Sequence, residues 1–350
     1  EAENLKPEQF KKAVQKLVED QEMLRAVIET DETMCIEDKV EVDENYLDLQ
    51  DLTKEEQEKR VEQEKERMFC KEGMLHFLQI QLEKEKSLVC VAHDGLIADG
   101  ESHQIILEQM EAYCKGEPVR EHVKYPDYVK YINELKKTAE YRSVIEDMKI
   151  QFADYDVNPI LPFKIETKKI KHPSVAIECR KVAKEIYEKV SVNAMERGVT
   201  PFSLVLTIYG KAIGKYADNQ KFLLNLPVAQ RPTELEGIEN LVGLCSNFML
   251  VDFDNTCQKN IWKQIEEIQE KLFERRETAS FLQGTDLLKE LKRDKKTEEI
   301  ASVVFTSTIG GSQGKDRRFT KKDTRTYTSQ VWLEGLLTEA GENRGKGIGF

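Results

Sequence analysis

Apolar residues recur at helical spacing between residues 7 and 20, where Phe10, Val14 and Leu17 share one face and predict an amphipathic helix. Met23 to Ile28 then reads as the entry to a strand. The Lys/Glu-rich stretch from Thr53 to Arg67 predicts a solvated helix held by charge pairs four residues apart. Met74 to Leu82 reads as a strand that pairs with the short apolar run Leu88-Val89-Cys90-Val91-Ala92. Helical spacing returns from Ser102 to Cys114 through Ile106, Met110 and Tyr113, and the tyrosine-rich stretch from Tyr125 to Met148 predicts another helix.

Asp154 to Pro162, with prolines at 159 and 162, is the expected linker between two halves, residues 1–160 and 161–350. Beyond it the pattern predicts a strand from Phe163 to Ile170 and a helix from Val175 to Arg197, closed by Gly198. Pro201 opens a helix running to Tyr216. Strands follow at Lys221 to Val228 and Asn247 to Phe253, and helices near Ile261 to Glu277 and Asp286 to Lys292. Ser302 to Thr308 and Thr326 to Leu333 read as the last strands. Two α/β lobes with mixed sheets are expected, and pattern alone does not separate α/β from α+β.

With 350 residues, 39% hydrophobic and 34% charged, the composition is that of a folded globular chain of roughly two domains. A net charge of −12 argues against a nucleic-acid or anionic-membrane partner. No apolar run approaches the roughly 20 residues of a membrane span. The start, Glu-Ala-Glu-Asn, carries no signal peptide and no initiator Met, so the chain reads as a piece of something longer. Seven cysteines without a CxxC pair suggest reduced thiols and a cytoplasmic setting, and the histidine spacings match no metal motif.

The most informative run is Asp94-Gly-Leu-Ile-Ala-Asp-Gly-Glu-Ser102, set between a predicted strand and a predicted helix. Catalytic groups are often held at such a turn. The same residues also fit a local role, with Asp99 in an Asx turn and Ser102 capping the helix. The pattern DxxxxDxxS resembles the heterocyclization domains of nonribosomal peptide synthetases, within the condensation-domain superfamily. Ordinary members carry HHxxxDG at this turn; Asp99 and Gly100 match its end, while Asp94 and Gly95 stand at the two histidine positions.

Further blocks carry the resemblance, in order. Residues 21–26, Gln-Glu-Met-Leu-Arg-Ala, are similar to the family's HPMLRA, and Arg197 to Pro201 to its rGvTPs. Leu224-Asn225-Leu226 followed by Gln230-Arg231-Pro232 is similar to lNlt…R, and Glu239 to Gly243 to vvGdFts. Val303 to Thr308 is close to PVVFTSxLG, and Ser329 to Leu333 to TPQVWLD. Departures are Leu244-Cys245-Ser246 for Asp-Phe-Thr, and Ser302 and Ser329 for prolines. Against the family, the opening strand and the last elements are missing from the expected pattern.

The resemblance implies two chloramphenicol-acetyltransferase-like lobes in a V, with reactants entering a tunnel between them. It implies an enzyme that joins an acyl or peptidyl thioester to a Cys, Ser or Thr thioester and closes a thiazoline or oxazoline with loss of water. Both substrates would ride on phosphopantetheine arms of upstream and downstream peptidyl carrier domains, with an adenylation domain in the full-length chain and no cofactor or metal of the domain's own. Thr306 and Glu334 stand where the family places its catalytic Thr and Asp. If their strands are neighbours, alternation puts Val304, Thr306 and Thr308 on one face, and Gln330, Trp332 and Glu334 on one face of the next. Glu334 also fits a surface carboxylate, and Thr306 an ordinary strand residue.

Asp94, Asp99, Gly100, Ser102 and Arg231 are implied to be structural, with an Asp99–Arg231 ion pair tying the two lobes. His93, Gln330 and Trp332 are implied to line the tunnel; His93 also invites a reading as a displaced base, against a local hydrogen-bonding role. Two other functions fit the same residues: a non-catalytic module that docks carrier proteins, and a free-standing acyltransferase of the same fold.

Overall fold

The computed structural model describes residues 1–30, 33–165, 169–170, 176–256, 259–298, 300–308, 319–320, 325–326, 328, 330–339 and 347–349. Two compact units result. Unit 1 takes Glu1–Tyr131, Arg231–Ser246 and a later piece containing Phe319; unit 2 takes Ile132–Gln230 and the described parts of 247–312 and 324–350. The units are therefore not two halves of the sequence split near residue 160. Ser329, one of the departures from the family pattern, lies outside the described residues.

Unit 1 runs β1 (Ala2–Glu3), α1 (Pro7–Asp20), β2 (Ala26–Thr30), β3 (Thr33–Ile36), β4 (Glu44–Asp48), α2 (Lys54–Phe69), β5 (Leu75–Glu83), β6 (Lys86–His93), α3 (Gly100–Lys115) and α4 (Tyr125–Leu135) as far as Tyr131. Its four-stranded sheet has the order β1-β6-β5-β4, with β4 parallel to β5 and the other pairs antiparallel. Period-two alternation sends Phe77, Val89 and Val91 to one face, against Phe10, Val14 and Leu17 of α1 and Ile106 and Met110 of α3. Leu78, Ile80, Leu88 and Cys90 face the other way, against Val61 and Met68 of α2. The charge-rich helix α2 is started by a reciprocal cap between Thr53 and Glu56 and carries the expected pair Arg60–Glu64 at 2.8 Å.

Unit 2 contains α5 (Ala139–Gln151), β7 (Lys181–Ala183), α6 (Lys184–Glu196), α7 (Pro201–Tyr216), β8 (Lys221–Ala229), β9 (Ser246–Asp254), α8 (Ile261–Ala279), α9 (Gly284–Lys295), β10 (Val303–Ser307), β11 (Leu333–Glu339) and β12 (Gly347–Gly349). The six-stranded sheet has the order β7-β12-β11-β10-β8-β9. Strand β10 runs parallel to both β8 and β11, whereas β12 is antiparallel to its neighbours. Phe222, Leu224, Val303, Phe305 and Leu337 point to α7 and α8, while Leu223 and Leu250 point to α5 and α9. Mixed sheets with flanking helices are thus the architecture of both units.

Several elements differ from the sequence reading. The single helix expected over 125–148 is two, because Thr138 leaves the helical path and its hydroxyl caps α5 through the Tyr141 amide at 3.2 Å. The helix expected from 175 starts at Lys184, since Lys181–Ala183 pairs with β12 instead. No strand forms among the described residues of 163–170; the Phe163 ring meets Trp332 edge-on at 5.3 Å. The last expected strand is displaced to Leu333–Glu339, so Gln330 lies in a turn and Trp332 at a bend, and neither shares a strand face with Glu334.

Candidate functional site

In unit 1, β6 delivers the chain into the DxxxxDxxS turn. Asp94 is exposed, and its Oδ1 accepts from the Leu96 amide at 2.8 Å, closing an Asx turn. Its carbonyl accepts from the Ile97 and Ala98 amides at 3.2 and 3.3 Å, and both of those side chains are buried. Asp99 follows in an extended conformation and caps α3, with Gly100 as the first helical residue.

The Asp99 carboxylate, its side chain only 2% exposed, is surrounded by donors. Oδ1 accepts from the Ser102 amide at 2.8 Å, the Ser102 hydroxyl at 2.7 Å and Arg231 Nη2 at 3.2 Å. Oδ2 accepts from the Cys245 amide at 3.0 Å and the Ser246 hydroxyl at 3.1 Å. Ser102 Oγ also accepts from the Gly243 amide at 3.0 Å and lies 2.8 Å from the Gly243 carbonyl, so its one hydrogen serves either that carbonyl or Asp99. Arg231 donates further to Ser102 Oγ at 3.2 Å, to the Ile238 and Leu241 carbonyls at 2.9 and 2.8 Å and to Glu101 Oε2 at 2.7 Å.

The Asp99–Arg231 pair therefore exists, but it lies inside unit 1, to which Arg231–Ser246 belongs; it is not a tie between lobes. Buried Gln21 holds the same segment, accepting from the Val242 amide at 3.0 Å and donating to the Asn240 carbonyl at 3.1 Å. Gly243 has no room for a side chain: a Cβ there would stand 2.4 Å from the Tyr125 ring. Burial pushes the neighbouring Cys245 thiol up to about 12, which keeps it protonated near neutral pH. Both oxygens of Asp99 are thus engaged by donors.

His93 is half-buried, and its Nε2 lies 3.1 Å from His103 Nδ1. Burial draws its pKa below the ordinary imidazole value, opposed by the Asp94 carbonyl and the nearby Asp99 and Asp94 charges. Its Nδ1 lies 3.4 Å from the Asp94 carbonyl.

In unit 2, β10 and β11 are adjacent, and the register sets Val304 beside Glu334 and Thr306 beside Leu336. Phe305 and Leu337 face the α7/α8 core, so Thr306, Glu334 and Leu336 occupy the opposite face. Thr306 Oγ1 donates to Glu334 Oε1 at 2.6 Å, the length of a charge-assisted hydroxyl–carboxylate bond. Glu334 is exposed and Leu336 is 40% exposed, so the pair is open to a reactant on this face.

Two neighbours were not among the site residues expected from the sequence, although Asn225 stands in one of the family-like blocks. Asn225, opposite Val304 in the ladder, donates to the Ala301 carbonyl at 3.1 Å, yet its buried Oδ1 meets no donor among the described residues. A buried acceptor without a partner is a costly arrangement. Tyr209 of α7 donates to the Val304 carbonyl at 3.2 Å from the core face. Its ring fills the space above Gly335, where a Cβ would stand 2.6 Å from Tyr209 Cε2 and 3.1 Å from Phe305 Cδ2. Gly335→Ala is therefore expected to destabilise the protein by about 1–3 kcal/mol through overpacking. Thermal melting checks this, and an unchanged midpoint would show that the Tyr209 ring can move aside.

The model of the condensation-domain family matches residues 2–331. Among curated proteins, phenyloxazoline synthase MbtB of Mycobacterium tuberculosis is 31% identical over 120 residues, covering 34% of this chain and 8% of the synthase. Bacitracin synthase 1 of Bacillus licheniformis is 22% identical over 354 residues, covering 94% of this chain and 7% of its own length. This chain thus spans less than a tenth of the length of either of these two synthases. Among solved structures, the EpoB NRPS cyclization-docking bidomain from Sorangium cellulosum has a TM-score of 0.80 at 23% identity, covering 97% of this chain and 71% of that one. At that identity the likeness establishes the fold.

Proposed function

Starting from a chain that belongs to the condensation-domain family, we propose that it is a heterocyclization domain of a nonribosomal peptide synthetase. It condenses a carrier-bound acyl or peptidyl thioester with a carrier-bound Cys, Ser or Thr, then cyclodehydrates the product to a thiazoline or oxazoline. The observation that carries this reading is the 2.6 Å hydrogen bond from Thr306 to Glu334 on an open strand face. Support comes from the Asp94–Ser102 turn, where Asp94 and Gly95 stand at the histidine positions of ordinary condensation domains and Asp94 closes an Asx turn.

The condensation step needs little beyond positioning, because the thioester is already activated and the amine attacks it directly. Ring closure is harder. The side-chain thiol or hydroxyl adds to the new amide carbon and gives a cyclic tetrahedral adduct. The hydroxyl on that carbon must gain a proton to leave as water, while the amide nitrogen loses its own to form the C=N bond. Glu334 is the group that moves these protons, and Thr306 holds its carboxylate in place. Glutamate in place of the family's aspartate lengthens the arm by a methylene, and at this length it still meets Thr306.

Substrates would arrive on phosphopantetheine arms of upstream and downstream carrier domains, with an adenylation domain in the same longer protein, in the cytoplasm. No helix among the described residues is long and apolar enough to cross a membrane. The test is to supply carriers loaded with an acyl group and with Cys, Ser or Thr, and to weigh the carrier-bound product. The cyclised amide, lighter by one water, is expected. A chain that makes no amide with any of the three would act only as a docking module.

A further inference from the structure

We infer that Tyr209 is a positioning residue for ring closure: its hydroxyl, held at the junction of β10 and β11, sets where the Glu334 carboxylate stands. The inference rests on the proposed role of Glu334. Tyr209 and Glu334 lie on opposite faces of the same two strands, so they act on each other through the backbone. The Tyr209 hydroxyl donates to the Val304 carbonyl at 3.2 Å, and Val304 is the ladder partner of Glu334. The phenol ring rests on Gly335, the residue that follows Glu334, and is backed by Phe305 at 5.1 Å between ring centres.

Packing alone does not account for the hydroxyl, since phenylalanine would fill the same space. What the oxygen adds is a fixed donor to one strand, beside the backbone amide of Gly335 in the other. Burial, and behind it the Glu334 charge, keep the phenol protonated far above neutral pH, so it stays a donor throughout the working range. Without it, Val304 loses a partner and the two strands can shift relative to each other by a fraction of an ångström. A misplacement of about 1 Å in a reacting group can cost a factor on the order of one hundred, so a smaller shift is expected to slow ring closure roughly tenfold.

The experiment compares the wild-type chain with Tyr209→Phe, Glu334→Gln and the double variant, following amide formation and water loss on the carrier by mass. Tyr209→Phe is expected to fold normally, to form the amide within about twofold of wild type, and to close the ring about tenfold more slowly. In the Glu334→Gln background it should have no further effect, because it acts through that carboxylate. Equal slowing of both steps, or the same tenfold loss in the Glu334→Gln background, would overturn the inference. If Glu334→Gln loses ring closure while Tyr209→Phe does not, Tyr209 has no positioning role and the reading of Glu334 stands. If Glu334→Gln closes the ring at the wild-type rate, both fall together.

Discussion

Asp99→Ala is expected to cost about 3–5 kcal/mol of stability, the range seen when one partner of a buried ion pair is removed. Arg231 would keep its charge at 9% side-chain exposure without its buried partner. The Cys245 amide and the Ser246 hydroxyl would lose their shared acceptor, and α3 would lose its cap. A fall in melting temperature of roughly 10 °C follows for a unit of this size. Asp99→Asn should fall between wild type and alanine. Its oxygen can still cap α3, but its NH2 group would face the Cys245 N–H donor. Circular dichroism melting of the three proteins checks the order. An alanine variant as stable as wild type but unable to make product would instead assign Asp99 to the chemistry.

Glu334→Gln is expected to lower ring closure by about a hundredfold or more, the usual worth of a general acid–base group, while amide formation changes by no more than a few fold. Glutamine keeps the length and can still accept from Thr306, but it can neither take nor give the proton. Uncyclised peptide should therefore accumulate on the carrier. Glu334→Asp keeps the charge on an arm shorter by a methylene, so it should retain more ring closure than Glu334→Gln. Thr306→Val removes the hydroxyl that donates to the carboxylate and keeps the strand's shape, so it should act as a weaker Glu334→Gln. The checking measurement is the ratio of cyclised to uncyclised product by mass; an unchanged ratio in Glu334→Gln would remove Glu334 from the mechanism.

Elements with a clean period and a stop signal were legible in the sequence: α1 from its apolar stripe, α7 from Thr200 and Pro201, and β8 to β10 from short apolar runs. Where an apolar run lacks a boundary, long-range pairing decides. Val331-Trp332-Leu333 reads as the end of a strand, yet β11 begins at Leu333, where the parallel register with β10 starts. The placement of Arg231–Ser246 in unit 1 is likewise invisible to periodicity. It goes with the donors that this segment supplies to Asp99 and Gln21. Thr306 and Glu334 were found through resemblance and alternation, but whether their strands are neighbours is not written locally. Tyr209 and Asn225, the latter inside the Leu224-Asn225-Leu226 block, were not assigned to the site, because only the packed sheet shows what their polar atoms meet.

The most direct test is the intact mass of the downstream carrier after the wild-type chain has reacted with an acyl-loaded upstream carrier and a downstream carrier bearing cysteine, serine or threonine in turn. A heterocyclization domain gives, with at least one of the three, a product lighter than the linear amide by one water. Linear amide alone with all three would contradict ring closure and leave an ordinary condensation activity.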